Sequence, residues 1–327
     1  MRGSGSIEPR EHDGRNGRGS PITRARIYFV AQAAAGALWW AAVFTSPSVR
    51  RWTLGSWSPA LLVVPDVVLF VGASAIAGLL ANRYVAMVCA AWTTLITAAL
   101  VATALVEREA GWGAVAMMLA SVGTVVAAVT LWLGRLPIEW FFFGPFEFRV
   151  TNDRERRTHL RRSLTQLVVF WTSLLIALPL LLAWAERRMR LSWPSLADRE
   201  WPWIGAAVFL LASAFGLWSC ISMALIGEGT PLPARTARKL VVVGPYRFVR
   251  NPMAVAGALQ TIGVGLWLGS WIVILSAVAG AVIWNTFIRP AEEADLRTRF
   301  GNDYVAYAMT VRCWIPSRPT TARHRAT

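Results

Sequence analysis

Residues 244–265 read GPYRFVRNPMAVAGALQTIGVG. A polar loop with Arg247 and Arg250 runs straight into an apolar segment. That segment continues from Met253 to Phe287, too long for one crossing of about 20 residues. Gly269-Ser270 sits at its middle, so the stretch predicts a hairpin of two short helices. Beyond it come Glu292-Glu293 and Phe300-Gly301-Asn302-Asp303-Tyr304. Charged groups beside a membrane segment are expensive, which makes this cluster a site candidate.

Moving N-terminally, apolar runs recur at spanning length. They predict helices at about 27–45, 60–80, 84–106, 111–133, 164–184 and 203–226. Hydrophobic residues make up 55% of the 327 and charged residues 16%, where a soluble domain carries about 25% charge. Mean hydropathy is +0.46. The expected fold class is an all-α integral membrane protein of about six transmembrane helices plus a C-terminal helical hairpin. A cytoplasmic loop and tail that carry the site candidate complete it. The expected organisation is a disordered polar tail over 1–26, a four-helix membrane region over 27–133 and a basic loop over 134–163. Two membrane helices over 164–226, a site region over 227–316 and a disordered tail over 317–327 follow. No cleavable signal peptide is expected, because the first apolar run starts only near Ile27.

The net charge of +15 comes almost wholly from arginine, with Lys239 the single lysine. These arginines sit between apolar runs, where insertion and anionic headgroups select them, so nucleic acid is not an expected partner. With the N terminus inside, 26 of the 33 basic residues fall on the inner side and 7 on the outer. The positive-inside rule then places both termini and the 244–265 loop in the cytoplasm. Arginine in place of lysine, with abundant Ala, Val and Gly, points to a GC-rich bacterium and its inner membrane. Anionic lipid headgroups are expected at the basic loops, above all around Arg154–Arg162, beside the interfacial aromatics Trp140-Phe141-Phe142-Phe143. Cys89, Cys220 and Cys313 share no metal spacing, and His12, His159 and His324 lie away from the candidate site. Neither a metal centre nor a histidine triad is expected.

Residues 220–316, through GPYRFVRNPMAVAGALQTIGVG and EEADLRTRFGNDYVAYAMTVRCWIP, resemble the isoprenylcysteine carboxyl methyltransferase and phospholipid methyltransferase family. The resemblance implies S-adenosylmethionine as cofactor and methyl transfer to a lipophilic acceptor entering from the bilayer. Such an acceptor is a prenylated carboxylate, a lipid headgroup or a hydrophobic small molecule. It implies a cofactor pocket opened by Arg250-Asn251-Pro252 and Gly257. Gly263-Val264-Gly265 takes the place of the Gly-x-Gly element and Glu292-Glu293 that of the acidic pair. Phe300, Gly301, Tyr304 and Tyr307 match the Phe-Gly-x-x-Tyr-x-x-Tyr element. Ala254 departs from the pattern, standing where the family has tyrosine.

The residues themselves support that chemistry. Arg247 or Arg250 could grip a carboxylate with two parallel N–H donors. Glu292 or Glu293 could accept from an amino group or a ribose. Gly257, Gly263 and Gly265 remove side chains where a ligand or backbone must come close. Tyr246, Phe248 or Tyr304 offers an aromatic face to a sulfonium. With no histidine near, Glu293, Tyr246 or Tyr304 would serve as base for an acceptor that needs one. The expected catalytic set is Arg250, Glu293 and Tyr304. The expected cofactor set is Tyr246, Arg247, Asn251, Pro252, Gly257, Gly263, Gly265, Glu292 and Glu293. Two alternatives are a nicotinamide-dependent membrane reductase and a non-catalytic scaffold or lipid-binding protein with a degenerate pocket.

Overall fold

A computed structural model describes residues 20–135, 172–198, 200–227 and 239–316. The basic loop, the Trp140–Phe143 aromatics, the start of the helix expected from 164 and most of both tails lie outside the described residues. Among the described residues the protein is all helical, with six helices long and apolar enough to cross a membrane. It is an all-α, multi-pass membrane protein. The chain divides into two compact units, residues 1–103 with 109–137 and residues 104–108 with 138–327.

The first unit starts at α1, Pro21–Thr45. Ser20 caps it by accepting from the Thr23 N–H, and Pro21 suits the first turn because its missing N–H has no partner there anyway. A short helix, α2 (Pro47–Leu54), then interrupts the connection that the apolar pattern leaves blank. Three long apolar helices follow: α3 (Pro59–Leu80), α4 (Arg83–Val106) and α5 (Gly111–Leu133). Pro65 lies inside α3, and the turn after it widens over Val67–Gly72. Proline has no N–H for the helical ladder, so the chain re-pairs by a wider turn.

Small residues let these helices approach closely: Ala73, Ala77, Ala86, Ala90, Ala127 and Ala128 are buried around Phe29. Polar groups are matched across the same interior. The Gln32 amide donates to Ser74 Oγ at 2.9 Å, and Thr124 Oγ1 donates to Gln32 Oε1 at 2.7 Å. Asp66, 8% exposed, takes one indole N–H on each carboxylate oxygen. Trp40 donates at 2.8 Å and Trp92 at 2.9 Å.

In the second unit a wide first turn, Thr172–Ala177, leads into α6, Leu178–Arg188. A long apolar helix, α7 (Trp201–Ile226), packs along α8 (Pro252–Leu268). The two backbones cross at Gly205 and Gly263. A Cβ at Gly263 would lie 2.8 Å from the Gly205 carbonyl oxygen, so only glycine permits this approach. Gln260, buried on α8, donates to Ser213 of α7 at 2.9 Å.

Gly269 ends α8 in the left-handed conformation, and Ser270 caps α9, Trp271–Ile283. The turn is where the Gly-Ser pair predicts it. Glu186 of α6 is buried against it, accepting from the Ser270 hydroxyl and, at 3.1 Å, from the Ile272 N–H. An acid at a helix N-terminus also suits the helix dipole.

The hairpin's second arm does not stop at Phe287. It passes through a wide turn, Trp284–Ile288, into α10, Arg289–Thr310. The whole run, Trp271–Thr310, has 40 residues, roughly 60 Å at 1.5 Å per residue. The apolar half suffices for a bilayer core of about 30 Å. The charged half, from Arg289 onward, carries Glu292 and Glu293.

Candidate functional site

Three pieces of chain converge here: the loop before α8, the start of α8, and α10 with the segment after it. The loop turns at Gly244–Arg247, which buries Pro245 and Tyr246. Asn251 then starts α8, its Oδ1 accepting from the Ala254 N–H at 3.0 Å, with Pro252 in the first turn. Backbone bonds dock α10's exit onto the loop, Arg250 N–H donating to the Arg312 carbonyl at 2.9 Å. Tyr307 donates its hydroxyl to the Tyr246 carbonyl at 2.6 Å.

Within α10, Gly301 takes φ 51°, ψ −128°, and kinks the helix. A Cβ there would meet nothing within 4 Å. The requirement for glycine is therefore conformational, not steric. The kink precedes Tyr304, which is 2% exposed.

Glu293 is the hub. Its carboxylate lies 3.3 Å from Arg250, 2.8 Å from Arg289 and 3.5 Å from Arg297. The Arg250 and Glu293 side chains are only 13% and 14% exposed. Arg289 also donates to Asn285 at 2.8 Å, and Trp314 donates to the same oxygen at 2.9 Å. The charges of Glu293 and Arg250 both act on the Tyr304 hydroxyl, in opposite directions. A shallow cavity of about 490 Å³ opens over this cluster, lined by Arg250, Arg289, Glu293, Arg297, Val305, Ala308 and Met309. Its size falls within the roughly 300–1,000 Å³ of small-molecule sites.

Glu292 lives differently. Asn251 Nδ2 donates to it at 3.4 Å. Burial first, then the Glu293 and Asp295 carboxylates, push its pKa up to about 7. Burial also pushes the Tyr246, Tyr304 and Tyr307 hydroxyls above their ordinary value. Deprotonating any of these phenols is therefore harder than in water. Two side-chain atoms of the cluster are buried without a partner, the Tyr246 hydroxyl and Arg250 Nε.

The structure thus brings together Tyr246, Arg250, Asn251, Pro252, Glu292, Glu293 and Tyr304. Arg247 stays outside, exposed, with its guanidinium 5.4 Å from the Phe248 ring centre. The three glycines part company. Gly257 faces open space. Gly263 serves the crossing with α7. Gly265 lies against α9, where a Cβ would sit 3.0 Å from the Ile274 nitrogen. Arg289, Arg297 and Asn285 join the cluster without having been singled out in the sequence. The i, i+4 spacing of Arg289, Glu293 and Arg297 on one helix face was the available signal.

No curated protein and no solved structure matches the chain. Residues 201–303 match the family model of the phospholipid methyltransferases. The matched range takes in α7, α8, α9 and most of α10, the elements that build this site. Together with the apolar helices, the match supports a multi-pass membrane methyltransferase, its C-terminal part similar to the phospholipid methyltransferase family.

Proposed function

We propose that the C-terminal part of the chain is an S-adenosylmethionine-dependent methyltransferase acting on a lipophilic acceptor that arrives from the bilayer. The observation that carries this reading is the pair of buried, partnerless groups, Arg250 Nε and the Tyr246 hydroxyl. A buried donor left unmade costs about 1–3 kcal/mol, and a polar ligand would supply what both lack. Arg250 is offered to a carboxylate, since a guanidinium donor to a carboxylate is among the stronger hydrogen bonds available. Gly257 leaves space for a flat ring system. Tyr304, held beside Arg250, would present an aromatic ring to a cation.

The bound cofactor supplies a methyl group made electrophilic by a sulfonium. The chain's own task is to hold the reacting atoms in line, which can lower a barrier by several kcal/mol. Val305, Ala308 and Met309 give the cavity lining an apolar part suited to the acceptor's hydrocarbon. The arginine distribution supports a cytoplasmic position for this site and both termini, and the composition fits a bacterial inner membrane. The basic loops would rest on anionic headgroups. Neither metal nor nucleic acid enters the reading.

Calorimetry on the full chain in detergent tests it. S-adenosylmethionine should bind, its demethylated product should compete, and Arg250→Ala should weaken binding by about 10–100-fold, the loss of a charge-assisted bond. If the wild-type chain binds reduced nicotinamide dinucleotide and not S-adenosylmethionine, the reductase reading replaces this one.

A further inference from the structure

Glu293 is held unevenly. Its Oε1 takes the Arg289 Nε–H at 2.8 Å, while Arg250 Nη1 lies 3.3 Å from the same oxygen and Arg297 Nη2 lies 3.5 Å from Oε2. Charge-assisted N–H···O bonds ordinarily close to about 2.7–2.9 Å, and arginine commonly grips a carboxylate through two parallel donors. Arg289 makes a bond of that length. Arg250 offers one longer contact, and its Nε is buried without a partner.

Arg289 is itself fixed from behind. Its Nη1 donates to Asn285 Oδ1 at 2.8 Å, and the Trp314 indole N–H donates to the same oxygen at 2.9 Å. An amide oxygen has two lone pairs, so both bonds are accommodated. The Trp314 ring stands edge-on to Trp284, their centres 5.4 Å apart at 87°. Trp284 and Asn285 belong to the wide turn Trp284–Ile288, and Trp314 to the segment after α10. Wide turns inside helices are frequent at functional sites.

We propose that Asn285 and Trp314 are positioning residues: through Arg289 they hold Glu293 back from Arg250 and keep Arg250 Nε open for a ligand carboxylate. This rests on the methyltransferase reading above, in which Arg250 grips that carboxylate. The physics is a competition for one oxygen. A carboxylate beside a half-used guanidinium gains by swinging onto it and closing the two-donor fork. Arg289 already holds Oε1, tied at two of its own nitrogens, so the swing costs a made bond. Without an acceptor at position 285, Arg289 loses its tether, and a partly exposed arginine turns to water at little cost. Glu293 then closes on Arg250, and a ligand must break an internal pair before it can bind. Trp314 acts one step further back, by holding the Asn285 oxygen in place. Neither Asn285 nor Trp314 is among the residues lining the cavity.

Two measurements on the full chain in detergent test this. The first uses no ligand. A double-mutant cycle between Arg250→Met and Glu293→Gln, read by thermal melting, isolates the coupling of that pair. In the Asn285→Leu background the coupling should at least double over that in wild type. An unchanged or smaller coupling overturns the proposal, because Asn285 then supports the fold and nothing more. Trp314→Phe keeps the ring against Trp284 and loses the N–H, and it serves as the background for the same cycle where Asn285→Leu does not fold. The second measurement is calorimetric affinity for S-adenosylmethionine. Asn285→Leu should weaken it by about 10-fold, the loss of a charge-assisted bond, and Trp314→Phe by less. Asn285→Asp keeps the accepting oxygen and should bind as wild type does; equal losses in the Leu and Asp variants overturn the proposal. Absent binding by wild type defeats the methyltransferase reading instead, and the ligand-free cycle still decides whether Asn285 sets the hold of Glu293 on Arg250.

Discussion

The first unit and the α10 cluster of the second treat buried polar groups in opposite ways. In the first, Asp66 has an indole N–H on each oxygen, and Gln32 is bonded to both Ser74 and Thr124. No buried side-chain polar atom of that unit lacks a partner among the described residues. In the second, the cluster on α10 and its loop leaves the Tyr246 hydroxyl and Arg250 Nε unmet. A polar network that is fully paired within its own helices is glue, holding α1, α3, α4 and α5 in register. A buried group left unpaired beside a cavity is a standing cost unless something else completes it. The contrast separates structure from site more sharply than polarity does, since both units bury a carboxylate.

The largest expected effect breaks the first half of this comparison. Asp66→Ala strands two indole donors, each worth about 1–3 kcal/mol when unmade, so the loss of stability should be about 3 kcal/mol. Thermal melting in detergent measures it, and S-adenosylmethionine affinity of the folded fraction should be unchanged. A variant that melts like wild type but no longer binds would show that the first unit's polar core belongs to the site.

A smaller effect follows from Glu292. Its folded-state pKa is raised, so the folded chain holds a proton that the unfolded chain gives up. That contribution is present below the ordinary carboxylate range near 4.5 and is lost as pH rises through about 7. Each tenfold change in proton affinity between the two states is worth about 1.4 kcal/mol, and the residue's partial exposure reduces what is seen to about 1–2 kcal/mol. Melting temperature should therefore fall between pH 5 and pH 8 in wild type, and the fall should shrink in Glu292→Gln. An identical pH profile in the two proteins would remove the contrast between Glu292 and Glu293.

Much of the fold was legible because hydrophobic length is a strong signal. The run from Gly111 to Leu133 becomes a helix with those bounds, and Gly269-Ser270 makes the hairpin turn. The pattern missed α2, whose eight residues include Arg50 and Arg51 and make no apolar run. It also ended the last membrane helix near Phe287, because a hydropathy pattern ends where the membrane does, whereas helical hydrogen bonding continues into Arg289–Thr310. At the site, the order of Arg250, Asn251, Glu292, Glu293 and Tyr304 marked residues that do converge. The sequence could not say which glutamate meets the arginines, since adjacent helical positions face different sides and nothing local fixes the rotation. Nor could it say that Gly263 and Gly265 lie in helix contacts, because a glycine reads the same whether a helix or a ligand approaches it.

The smallest effects make the finest test, through two tyrosines that each lose one oxygen. Tyr307 donates its hydroxyl to the Tyr246 carbonyl at 2.6 Å, so Tyr307→Phe removes a made bond and should cost about 1 kcal/mol of stability. The Tyr246 hydroxyl is buried and unmade. Tyr246→Phe removes an unmet polar atom from an apolar setting, so the ligand-free chain should be unchanged or more stable by about 1 kcal/mol. The same variant should bind S-adenosylmethionine several-fold more weakly, because the ligand loses the hydroxyl held open for it. Opposite signs in the two melting curves, with a binding loss confined to Tyr246→Phe, would mark one hydroxyl as structural and the other as held open for a ligand. If Tyr246→Phe destabilises the free chain as Tyr307→Phe does, its hydroxyl has a partner within the fold, and the contrast between the two units loses the atom on which it turns.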